Sequence, residues 1–148
     1  MTKYKIALVT GGAGFIGSHI VDALIRRRIK VYVVDDLSSG AVGNVNPNAH
    51  FTKISITSSQ FVTYLKKLKP DVIFHLAAHA NVRASFDTPL SVLSNNILGT
   101  VNLLEGVRLA EINPVIQICS TSEVYGQVDP KHVPIKEDCS INPSSPYA

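Results

Sequence analysis

Tryptophan is absent, methionine occurs once and cysteine twice in a chain of 148 residues. Two cysteines, Cys119 and Cys139, cannot build the disulfide framework on which small secreted domains depend. A reducing, cytoplasmic setting is the expectation. Charge is sparse as well. Charged residues make up 17% and hydrophobic residues 45%, which excludes a disordered chain and leaves enough apolar material for a core. Lys+Arg 14 against Asp+Glu 11 give a formal net charge of only +3. The longest basic run is Arg26-Arg27-Arg28, far from the concentrated stripe of a nucleic-acid binder. No apolar run approaches the roughly 18 residues that a membrane span needs. Met1–Lys5 passes into the apolar run at Ile6 without the pattern of a secretory leader. Neither a nucleic acid nor a membrane is expected as a partner, and the length suits one domain.

What the chain does have is alternation. Ile6–Val9 is a continuous apolar run, as in a strand buried on both faces, and ends at Thr10-Gly11-Gly12. Phe15 to Arg28 carries apolar residues at a helical period, with the arginines at the negative end of the helix dipole. Val31–Val34 is a second strand, closed by Asp35-Asp36, and a loop over 38–48 follows. His50 to Ile56 is a weaker strand, Phe61 to Leu68 a short helix, and Asp71 to Leu76 another clear strand. Thr88-Pro89 looks like an N-cap with proline at the first helical position of a long helix reaching about Ala110. Val115 to Cys119 is the last strand, and after Gly126 the prolines at 130, 134, 143 and 146 predict loop. Strands alternating with helices mean βαβ units. The expectation is an α/β fold with a doubly wound parallel sheet of about five strands. A ligand belongs at the carboxyl ends of its strands.

The unusual residues cluster there. Gly11, Gly14 and Gly17 form G-x-x-G-x-x-G between the first strand and the first helix. One glycine serves the tight turn, one lets the backbone approach a pyrophosphate, and one allows close helix–strand packing. The free N–H groups at the helix start, at Phe15 and Ile16, then face the phosphates. Asp35 ends the second strand 18 residues after Gly17. An acidic residue there accepts from a ribose 2′-hydroxyl and repels a 2′-phosphate, which favours NAD over NADP. Asp36 beside it can share this role, and the plain alternative for either is to cap a loop. Ser120–Gly126 brings hydroxyls and a carboxylate to the end of the last strand, a pattern that also serves simple capping. No cluster of metal-ligating residues stands out.

Thr10–His19 (TGGAGFIGSH), Asp35–Gly40 (DDLSSG), His75–Ala78 (HLAA), Ser85–Pro89 (SFDTP), Asn96–Glu105 (NILGTVNLLE), Ser120–Gly126 (STSEVYG) and Pro143–Ala148 (PSSPYA) follow one another in a familiar order. Together they resemble the N-terminal part of an extended short-chain dehydrogenase/reductase of the nucleotide-sugar epimerase/dehydratase family. The resemblance implies a Rossmann-like NAD-binding domain over residues 1–148, incomplete before a C-terminal substrate domain. It places Tyr147 at the catalytic tyrosine of Y-A-x-S-K and Thr121 at the hydroxyl that binds the sugar 4-OH. Glu123 matches a glutamate of the family's dehydratases and decarboxylases, where typical epimerases carry a non-acidic residue. Leu76, Ala77 and Ala78 fall where the cofactor lies close to the fourth strand. Three positions depart from the pattern. The family's G-D-I-x-D after the third strand reads Ile54-Ser55-Ile56-Thr57-Ser58 here, so the adenine contact is weakened or made differently, with Ser55 and Ile56 at that place. His79 stands where Gln or Glu is common and reads as a satisfied loop histidine. Ser122 stands where one dehydratase subgroup has an acidic Asp, which favours a GDP-mannose dehydratase or a UDP-glucuronate decarboxylase over a thymidine-diphosphoglucose type.

The chemistry implied by the resemblance is oxidation of a nucleotide sugar at C4, hydride passing to NAD while tyrosine takes the hydroxyl proton. The ketone then has three outcomes: loss of water from C5–C6 by a base such as Glu123, loss of CO₂, or re-reduction from the other face. A 4,6-dehydratase of GDP-mannose or dTDP-glucose type is the first expectation. A UDP-glucose 4-epimerase or UDP-glucuronate decarboxylase is the alternative, and a non-catalytic NAD-binding module is an alternative of another class. The family's lysine, four residues after the tyrosine, falls past Ala148, so this chain alone is expected to be inactive and to bind NAD weakly. An uncovered last strand, and a long helix of the kind through which relatives pair, predict a homo-oligomer.

Overall fold

The structure, a computed structural model, describes residues 3–148. Five strands form one parallel sheet: β1 (Ile6–Thr10), β2 (Lys30–Asp35), β3 (His50–Lys53), β4 (Val72–His75) and β5 (Val115–Ile118). Their order is β3-β2-β1-β4-β5, so the chain winds outward from β1 in both directions. The expected doubly wound α/β sheet is therefore observed. Strand β1 is central because it can be buried on both faces: Ala7, Leu8, Val9 and Thr10 are fully buried. It pairs Ala7 with Val31 of β2 and with Val72 of β4.

Side chains alternate across the sheet and supply two cores. Ala7, Val9, Val31, Val33 and Val72 pack with Val21 and Leu24 of helix α1 (Phe15–Arg26). Leu8, Val34 and Ile73 face the other way and pack with Phe61 and Leu65 of α2 (Ser59–Leu68) and Leu103 of α5 (Gly99–Leu109). Helix α5 lies close on its neighbours because it carries glycines at the contact. A Cβ at Gly106 would stand 2.6 Å from Leu65 Cδ1, and one at Gly99 would run into Ile56.

Several element boundaries differ from the sequence expectation. Helix α1 stops at Arg26, and Arg28 takes a left-handed φ of 60°. The residues before Pro89 form a helix of their own, α3 (Val82–Asp87). Thr88 is the junction, and its hydroxyl donates to Ala84 O at 3.1 Å, closing α3 instead of capping the next helix. The expected long helix is real but not uniform: α4 (Pro89–Leu93) leads into a π-helical segment (Ser94–Leu98) and then α5. The loop expected after Gly126 holds a 3₁₀ turn at Pro130–His132.

Candidate functional site

The strand ends converge on two connected cavities. A small one of about 90 Å³ is lined by Gly11, Gly14, Asp35, Asp36, Ile56, Ala77 and Ala78, among others. A wider one of about 630 Å³ shares Gly11, Gly14, Leu76, Ala77 and Ala78 and adds Phe15, Ile16, Gly17, Thr121 and Tyr147. They form one cleft across the carboxyl ends of β1, β2, β4 and β5.

The glycine turn builds its floor. Gly11 has φ +73°, a conformation that L side chains rarely adopt, and a Cβ there would lie 2.7 Å from the Ala77 amide nitrogen. A Cβ at Gly17 would collide with the carbonyl oxygen of Gly11. Gly14 differs: a Cβ there would meet only Gly11 O, at 3.3 Å, so the space in front of it is open. Turn, packing and open approach are thus divided among the three glycines. Phe15 and Ile16 open α1, are 79% and 61% exposed, and line the wider cavity. This surface has the shape and the backbone donors for a pyrophosphate at a helix start.

At the β2 end, Asp35 is buried and accepts from two amides: Ala13 N at 3.0 Å and Leu37 N at 2.8 Å. It therefore ties the glycine loop to β2 while facing the small cavity. Asp36 also lines that cavity and accepts from Ser38 N at 2.9 Å. Burial acts to raise its carboxyl, but hydrogen bonds from the Ser38 hydroxyl and amide and from Ser55, with the nearby His79, outweigh burial and hold it below the usual range. Asp35, Asp36, Ser38 and Ser39 line the cavity there with no cation among them. Such an end accepts a diol and repels a phosphate.

Of the two residues expected near adenine, Ile56 lines the small cavity, and Ser55 lies behind it, its Oγ 3.0 Å from Thr57 Oγ1. Thr121 and Tyr147 line the wider cavity together, although 26 residues separate them (147 − 121). Glu123 is not among the cleft-lining residues. It sits in a 3₁₀ turn (Ser122–Tyr125), and its amide donates to Thr121 Oγ1 at 3.2 Å.

Sequence reasoning assigned no role to Asn96, His75, Thr10 or Thr100. Asn96, in the π-helical segment, clamps the loop after β4: its Oδ1 accepts from His79 N at 2.8 Å and its Nδ2 donates to His79 O at 3.2 Å. His79 is in this sense a satisfied loop residue at its backbone. The ring of His75 lies between Thr10 and Thr100, and burial pulls it down from 6.5 to about 4. The only forewarning in the sequence was that these residues stand inside the quoted motifs.

Comparison with known proteins bears on the same residues. Residues 8–148 match the family described as GDP-mannose 4,6 dehydratase. The chain belongs to the NAD-dependent nucleotide-sugar epimerase/dehydratase family. A UDP-glucose 4-epimerase of Mycolicibacterium smegmatis is 42% identical over 146 residues, 95% of this chain and 46% of the relative. The UDP-glucose 4-epimerase of Thermotoga maritima, solved with UDP-glucose, superposes with a TM-score of 0.89 at 41% identity, covering 96% of this chain and 46% of that one. That of Thermus thermophilus, solved with NAD, gives 0.88 at 34% identity, covering 96% and 46%. NAD is the cofactor of this epimerase/dehydratase family, and its Rossmann-like sheet is the one described above. The chain spans slightly less than half the length of these relatives.

Proposed function

We propose that this chain is the NAD-binding part of a UDP-hexose 4-epimerase. The observation that carries the reading is the single cleft that joins the glycine turn and Asp35 at one end to Thr121 and Tyr147 at the other. The backbone at Gly14–Ile16 would hold the pyrophosphate, Asp35 and Asp36 the adenosine ribose, and Ile56, with Ser55 behind it, the adenine side. Leu76–Ala78 would form the wall beside the dinucleotide. NAD bound there supplies a reversible hydride acceptor. Thr121 donates or accepts at the sugar 4-hydroxyl, orienting it, and the Tyr147 oxygen takes its proton and later returns it. No further acid or base is needed if the ketone is re-reduced on its opposite face.

A dehydratase needs more. It must remove the C5 proton and expel water from C6, which requires a carboxylate against the sugar. Glu123 is the residue the sequence offers for that step, and its absence from the cleft lining supports the epimerase over the 4,6-dehydratase expected first. The epimerase names of the relatives favour the same choice. The match to a GDP-mannose 4,6 dehydratase family keeps the dehydratase as the second reading.

The test is product analysis with the protein carrying the whole reading frame. UDP-glucose is expected to yield UDP-galactose, with Glu123→Gln leaving turnover within about threefold. A 4-keto-6-deoxy product from GDP-mannose, lost in Glu123→Gln, would establish the dehydratase instead. Asp35→Ala is expected to weaken NAD and narrow its preference over NADP, read by titration of both nucleotides. We further propose a homo-oligomer in solution and a soluble, cytoplasmic enzyme; no described helix is long and apolar enough to cross a membrane.

A further inference from the structure

The His75 ring is buried at the end of β4, touches the same cleft and has no part in the chemistry above. Its hydrogen bonds form a chain. Thr10 Oγ1 stands 2.8 Å from Nδ1, and Thr100 Oγ1 stands 3.3 Å from Nε2. Proton counting fixes the directions. Thr10 Oγ1 accepts from Leu76 N at 3.2 Å and Ala77 N at 3.3 Å, which takes both lone pairs, so its own proton goes to Nδ1. The Thr100 hydroxyl gives its proton to Asn96 O at 2.8 Å, so it accepts from Nε2. His75 is therefore a neutral imidazole carrying its proton on Nε2.

The amides at the far end of this chain matter to the cleft. Leu76 N is shared with Thr10 O at 3.1 Å, whereas Thr10 Oγ1 is the acceptor found for Ala77 N. Ala77 N is also the atom that a Cβ on Gly11 would strike. The Thr10 hydroxyl thus sets how closely the β4 end approaches the glycine turn, and His75 sets which way that hydroxyl points. A proton on Nδ1 would give Thr10 Oγ1 three N–H donors for two lone pairs, and one amide would be released.

We propose that His75 is a positioning residue for the dinucleotide cleft, acting through Thr10 to hold the Leu76–Ala77 backbone against the Gly11 turn. This rests on the reading of the cleft as an NAD site. The groups around the ring come from β1 (Thr10), from the π-helical segment and α5 (Asn96, Thr100) and from β5, where Ile118 is its register partner and the Cys119 thiol follows. Tyr147 stands on the same cleft. No charged side chain contributes to the depressed basicity of the ring, which burial accounts for.

Two measurements test the proposal. Imidazole ¹⁵N NMR at pH 7 reads the tautomer without any cofactor: an unprotonated, hydrogen-bonded Nδ1 and a protonated Nε2 are expected, and the reverse assignment would overturn it. NAD titration of variants reads the consequence. His75→Asn, which keeps an acceptor facing Thr10, and Thr10→Ser, which keeps the hydroxyl, are expected to hold Kd within about threefold. His75→Leu and Thr10→Val are expected to raise it tenfold or more while circular dichroism at the assay temperature matches that of the parent. Equal NAD affinity in the Leu and Asn variants would overturn the positioning role. Should the parent bind no NAD at all, the functional reading fails, and the NMR assignment still decides the hydrogen-bond chain on its own.

Discussion

At the residue scale, backbone crowding and buried proton bookkeeping dominate. Gly11 and Gly17 are unforgiving for different reasons: the first needs a left-handed φ beside the Ala77 amide, and the second has the Gly11 carbonyl where its Cβ would go. Gly17→Ala is expected to cost about 2 kcal/mol or more in urea unfolding and to abolish NAD binding. Gly14→Ala, with open space in front, should fold nearly normally and weaken NAD alone. His75 gives a pH signature whose sign follows from its depressed basicity. The folded state holds the ring at about 4 and an unfolded chain at its ordinary 6.5, so the unfolded chain takes up a proton first as pH falls. The contribution is complete above pH 6.5 and is lost as pH drops toward 4, on the order of 3 kcal/mol in all. Urea midpoints at pH 7 and 4.5 should show this drop in the parent and a smaller one in His75→Asn. None of this hydrogen-bond chain was legible beforehand. Thr10, His75 and Thr100 are 65 and 25 residues apart, and no local pattern marks three residues that meet only after folding.

At the element scale, legibility followed burial. Strands β1, β2 and β4 announced themselves because both faces are covered, which forces unbroken apolar runs such as Ile6–Val9 and Val31–Val34. The edge strand β3, written HFTK, has no fully buried residue and gave a faint signal. Helix α3 escaped notice because six residues, VRASFD, are too few to display a period, while Asp87-Thr88-Pro89 resembles a beginning. The π-helical segment is a matter of backbone register, which side-chain periodicity does not encode. Glycine positions on α5, in contrast, were silent in the sequence and decisive in the packing. Leu103, wholly buried between these glycines, is the residue by which α5 joins the second core. Leu103→Ala is expected to cost about 3 kcal/mol, measured as a shifted urea midpoint.

At the scale of the whole molecule, one face lacks a cover. Leu90, Ile97, Val101 and Leu104 are each about half exposed or more along the α4–α5 length, an apolar strip larger than a solitary domain usually leaves to water. The proposed homo-oligomer would bury it. Light scattering of the parent at tens of micromolar should report a dimer or larger, and the double change Val101→Glu with Leu104→Lys should yield a monomer with an unchanged circular-dichroism spectrum. The sheet order carries a consequence of another kind. The innermost strand is the first one made, and its two neighbours are 24 and 65 residues downstream: Ala7 meets Val31 on one side and Val72 on the other. On the ribosome, β1 and β2 can join early with α1 across them, but the other side of β1 stays unpaired until some 65 more residues have emerged. At about 5–20 residues per second, that is several seconds of exposed ladder. The same winding that gathers the cofactor cleft at one end of the sheet gives the nascent chain a long interval in which its most apolar strand is half clothed, so slow decoding anywhere between Lys30 and Val72 should raise its dependence on chaperones.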